Sequence, residues 1–98
     1  MNSTRFDVAS LALEGVPVVL KAAYLLVVDR DGAAEVEWEC LAYALDTAPI
    51  APGRYLVEIA TLDGRDLSGA AILVRSVDGA HVLRGDGPLA GLGPRDLG

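Results

Sequence analysis

"TLDGRDLSGAAILVRSVDGAHVL", Thr61 to Leu83, decides the fold. It holds two Asp-Gly pairs, Asp63-Gly64 and Asp78-Gly79, on either side of an apolar run with β-branched residues. Asp-Gly suits the type I′ turn, whose two central residues both need positive φ. A turn at Asp78-Gly79 sets Val77 opposite Ala80 and Ser76 opposite His81. A third pair, Asp31-Gly32, lies between alternating segments, and "APGRY" from Ala51 adds a Pro-Gly turn. These signals predict an all-β chain of about six antiparallel strands in a meander, closing as a small barrel or a two-sheet sandwich.

The pattern places strands over Phe6 to Leu13, Val16 to Arg30, Glu35 to Leu45, Arg54 to Leu62, Arg65 to Val77 and Ala80 to Arg84. The second is long for a strand and is expected to bend or break near Lys21. Gly69 marks a bulge or bend inside the fifth. "LAYALDTAP", from Leu41, is the best place for a helical turn. Residues 1–87 read as a single β domain and 88–98 as a Gly/Pro-rich C-terminal tail. In that tail Leu89, Leu92 and Leu97 are spaced to anchor in an apolar groove of this domain or of a neighbour.

The Glu35–Leu45 segment carries the functional expectation. By the period of two, Val36, Trp38, Cys40 and Ala42 share one face. The other face begins Glu35, Glu37, Glu39 and continues Leu41, Tyr43, Leu45. One end of it is wet and the other is covered, by strand curvature or by a second chain. "AAYLLVV" and "AAILV" are apolar on both faces, as strands between two layers are. The expectation is an apolar face available for self-association, with Leu41, Tyr43, Leu45, Leu89 and Leu92 as contact residues.

Composition narrows the alternatives. The 98 residues are 52% hydrophobic and 22% charged, a globular balance for one small domain. The net charge of −6, with one lysine and seven scattered arginines, argues against nucleic acid and against an anionic membrane as partners. Its arginine, alanine and glycine usage suggests a GC-rich bacterial or phage source. The single cysteine, Cys40, excludes an internal disulfide and reads as a small buried hydrophobe. The N-terminus has no apolar signal core, and "VPVVLKAAYLLVV" is too short to span a bilayer as a helix. A cytoplasmic location, or one within an assembled particle, is expected.

No motif supplies a convergent reactive cluster. His81, with Ser76 opposite, lacks a carboxylate in the same row, so a hydrolase centred on it is a minor alternative, and a half-exposed strand histidine is expected. Arg84-Gly85-Asp86, followed by Gly87-Pro88, reads as a turn leaving the last strand. Glu35, Glu37 and Glu39 stand about 7 Å apart in a row, which diverges more than it cages a cation.

Asp66-Leu67-Ser68 followed by small residues resembles the Asp-x-Ser-x-x-Gly signature of PilZ domains over about six residues. The resemblance implies a six-stranded barrel that binds cyclic di-GMP, an alternative function of the ligand-sensor class. Ala71 stands where that signature has glycine. Arg54 and Arg65 are the only nearby candidates for the arginine clamp the ligand needs.

The expected function is therefore a non-enzymatic structural or protein-interaction module that self-associates or joins a larger protein assembly. No residue is assigned a catalytic, cofactor-binding or metal-ligating role.

Overall fold

The computed structural model describes residues 2–93. It has seven strands: β1 Asn2–Leu13, β2 Val16–Val18, β3 Leu20–Asp29, β4 Glu37–Ala44, β5 Gly53–Thr61, β6 Asp66–Val77 and β7 Ala80–Gly85. They pair antiparallel in the order β1-β3-β4-β7-β6-β5, and β5 returns to β1 to close a six-stranded barrel. β2 is an extra strand on β1. Of the two architectures compatible with the sequence, the chain takes the barrel. The meander order holds within each half, β1-β3-β4 and β5-β6-β7. Residues 45–52 cross the end of the barrel to join the halves, so that β4 pairs with β7.

Closure depends on β1. Its first part, Asn2–Asp7, pairs with β3. Its second part pairs with β5, after a register shift between Val8 and Ser10. Such a bulge bends a strand and increases its twist, which lets one strand serve two neighbours around a tight curve. A shift between Leu20 and Ala22 puts a second bulge at Lys21, where the sequence predicts a bend. The third lies between Leu73 and Arg75, not at Gly69. Gly69 pairs regularly with Val57. Its small size serves a close approach instead: a Cβ there would sit 2.6 Å from the Pro88 carbonyl oxygen and 3.0 Å from the Trp38 ring.

Only some of the turns follow the Asp-Gly rule. Asp78 and Gly79 have φ of 52° and 85°, both positive as type I′ requires. Glu14-Gly15 adopts the same pattern, with φ of 51° and 77°, without an Asp-Gly signal. At Asp31-Gly32 and Asp63-Gly64 only the glycine has positive φ, so these are other turn types. The helical turn expected from Leu41 is absent: residues up to Ala44 complete β4, and an irregular loop comes after it. Asp46 Oδ1 accepts the Ala48 N–H at 2.9 Å in that loop, competing with helical bonding.

Leu25, Val27, Cys40, Val57, Leu73 and Leu83 fill the interior and are fully buried. A barrel of this size has room for side chains and not for a channel. One end is plugged by Trp38, Leu67 and Leu89. The domain therefore continues past Gly87. Ala90 and Ser68 exchange backbone hydrogen bonds of 2.7 and 3.0 Å, Leu89 is buried, and Leu92 packs on the core. Residues 94–98, including Leu97, lie outside the described residues.

Candidate interaction surface and end cleft

Of the expected contact residues, Leu41, Tyr43 and Leu45 lie on the outside of the barrel. Trp38, Cys40, Ala42 and Ala44 point inward and are buried. Leu41, Tyr43 and Leu45 point outward and are 36%, 43% and 56% exposed. Strand curvature does not cover them. Their neighbours extend the apolar surface sideways: Tyr24 lies opposite Leu41 on β3, and Val82 opposite Leu41 on β7. One row lower, Ala22, Tyr43, Ala80 and Val77 follow one another across β3, β4, β7 and β6. Tyr24 and Tyr43 meet edge to face, with centroids 6.5 Å apart. Among the described residues no second layer covers the outer faces of "AAYLLVV" and "AAILV": Leu26 and Val74 are exposed.

Charged groups of both signs border this band. The Arg5 guanidinium lies 4.0 Å from the Tyr24 ring centroid, a cation–π contact. Glu39 stands between Leu26 on β3 and Arg84 on β7. Arg75 lies opposite Val82. Leu89 and Leu92 are elsewhere, packed in or against the core of their own barrel, so the tail serves this domain up to Gly93.

At the barrel end opposite Trp38, an open cleft of about 430 Å³ lies between the β1–β2 turn and the 45–52 loop. Leu13, Val18, Ala44 and Ile50 line it, with Glu14 and Asp46 also on its walls. His81 lines it too. The imidazole is not half-exposed, as expected from the sequence, but only 2% exposed. Its alternation puts it inward beside Ala42, its β4 partner. Ser76 opposes it as the turn predicts, with Oγ 2.9 Å from Nδ1. The same oxygen accepts the Ile50 N–H at 2.9 Å. Among the described residues the Ser76 hydroxyl proton has no other acceptor than Nδ1, and donation to it assigns the proton of neutral His81 to Nε2. Burial lowers the imidazole pKa, favouring that neutral form. Ser76 and His81 thus tether the crossing loop to the barrel. Their opposition is legible in the sequence; the Ile50 link is not, because nothing local predicts where a long loop returns.

The other motifs have structural roles. Arg84 and Gly85 end β7, and Asp86 turns away, its N–H bonded to the Ala70 carbonyl at 2.8 Å. The Asp86 carboxylate accepts from Arg54 Nε at 2.9 Å. A Cβ on Gly85 would overlap the Trp38 indole. Glu37 pairs with Arg30 at 2.9 Å on the exposed surface, and no cluster of metal-ligating side chains occurs among the described residues. Asp66 and Ser68 sit on β6. Arg54 and Arg65 do not converge on them: Arg54 is near the start of β5, and Arg65 follows its end, paired with Asp63. No protein-family model matches the chain, and neither a curated protein nor a solved structure does.

Proposed function

We propose that this protein is a non-enzymatic assembly module that pairs with a second copy of itself through the outer wall of β3, β4 and β7. The carrying observation is the contiguous outward band of Tyr24, Leu26, Leu41, Tyr43 and Val82, in which Leu26, Leu41 and Tyr43 are exposed and Tyr24 and Val82 half-buried. An exposed contiguous apolar band of this kind is characteristic of an interface. Its border favours a like partner. The chain carries a net charge of −6, which opposes indiscriminate self-contact. Around the band, however, Arg5, Arg75 and Arg84 stand among Asp7, Glu37 and Glu39, with Arg5 and Asp7 paired at 3.7 Å, so two copies can set unlike charges against each other there. Closed pairing through one patch is the commonest form of assembly. His81 and Ser76 act in this reading as structural tethers.

Sedimentation equilibrium on the full chain, and on Leu41→Lys and Tyr43→Glu, tests the proposal. Both side chains point outward, so the barrel tolerates the changes. The expected result is a wild-type dimer or higher oligomer and variants that dissociate at least about tenfold more readily. A wild-type monomer at every accessible concentration, or variants that associate as tightly as wild type, would overturn it.

A further inference from the structure

The end cleft is a feature separate from the outer wall, and it has the makings of a small-molecule site. We infer that it binds a compact, uncharged apolar molecule bearing a carbonyl or hydroxyl oxygen, received by His81 Nε2–H. The volume, about 430 Å³, falls within the range of small-ligand pockets. The walls are mainly aliphatic, from Leu13, Val18, Ala44 and Ile50. One polar group is fixed among them. His81 is only 2% exposed, Ser76 holds its Nδ1, and Nε2 has no partner among the described residues. Every fully buried side-chain nitrogen and oxygen among them does have a partner, so Nε2 keeps some accessible surface, and the cleft that His81 lines is where a ligand reaches it. A ligand oxygen that accepts from this fixed donor takes the place of water there, while its apolar body covers the aliphatic walls.

The same walls set the charge of the ligand. Glu14 and Asp46 both line the cleft. Each uses one oxygen internally, Glu14 Oε1 for the Leu56 N–H and Asp46 Oδ1 for the Ala48 N–H, both at 2.9 Å. The carboxylates' negative charge remains and disfavours an anion, including a fatty acid. The Tyr55 hydroxyl donates to the Ala51 carbonyl at 2.5 Å, so it does not compete for the ligand oxygen as a donor.

The test is a nuclear magnetic resonance titration of the isotope-labelled full chain with acetophenone as the probe and benzoate as its anionic counterpart. The protein has one histidine, so its imidazole signals need no assignment. The expected result is saturable shifts at Val18, Ile50 and His81 Nε2, with benzoate binding at least about tenfold more weakly. Ala48→Trp adds bulk to the cleft wall at an exposed position and should abolish the shifts. His81→Asn keeps an acceptor for Ser76 but removes the Nε2 donor, and should weaken acetophenone several-fold. Leu41→Lys should bind as wild type does, which separates this site from self-association. The proposal fails if acetophenone produces no saturable shift, if benzoate binds as well, or if binding survives Ala48→Trp unchanged.

Discussion

The indole N–H of Trp38 donates to the carbonyl of Gly87, 49 residues further along the chain, at 3.0 Å. The bond ties the start of β4 to the segment leaving β7, and it is possible only because Gly85 leaves room for the ring. Gly85→Ala places a methyl group against the indole and should destabilise the barrel by about 2 kcal/mol, the usual scale for overpacking a tight core. Urea unfolding followed by the fluorescence of the single tryptophan measures this directly. An unchanged midpoint would mean that Trp38 is free to move aside.

Ending the chain at Gly87 should cost stability without changing the oligomeric state. Leu89 loses its burial, worth about 2 kcal/mol, and Ser68 loses two backbone bonds to Ala90, worth about 1 kcal/mol each. A melting curve and a light-scattering mass on the same sample decide the matter. Dissociation of an oligomer at unchanged stability would put the tail, instead of the β3–β4–β7 wall, at the contact.

His81 gives the fold a defined response to acid. Burial lowers its pKa below the ordinary value of about 6.5, so the unfolded chain binds the proton more readily than the barrel does. This contribution to stability is complete above about pH 6.5 and is lost as the pH falls from there through the lowered value. Denaturant midpoints taken between about pH 7.5 and 5.5 should therefore fall more steeply for wild type than for His81→Asn, which does not titrate. Parallel pH profiles for the two proteins would contradict the assignment.

Cys40 should be chemically silent while the barrel is closed. It is fully buried on β4, and burial pushes its thiol up to about 12, so almost no thiolate exists near neutral pH. An aromatic disulfide reagent should label it only at the rate at which the barrel opens. Labelling faster than unfolding, measured in the same buffer, would show a local route to the interior.

How legible these features are depends on the range of the forces that set them. The strand alternation at Trp38, Cys40 and Ala42 is a local period, and the structure keeps it residue for residue. The turn at Asp78-Gly79 is local as well, and it sets Ser76 opposite His81. The outward placement of Leu41 and Tyr43 follows from the same period, although their exposure depends on whether a second layer is present. Three features depend on distant partners and leave no local mark. The bulge at Val74 answers the curvature needed for closure, and not any glycine. The Glu14-Gly15 turn keeps a glutamate at positive φ, where Glu14 Oε1 accepts the Leu56 N–H from another strand. Leu89 resembles a surface anchor in a glycine-rich tail until Trp38 and Gly69 bring the floor of the barrel beneath it.

The bend in β1 has a temporal consequence. Val8 to Leu13 are synthesised before their partners on β5, Val57 to Thr61, which follow 44 to 53 residues later. At about 5–20 residues per second, that wait lasts several seconds. Throughout it, the half-made sheet of β1, β3 and β4 has an unsealed apolar margin, the kind of edge to which other nascent chains adhere. The domain is thus most vulnerable between the synthesis of β4 and that of β7, whose pairing with β4 removes the last open edge.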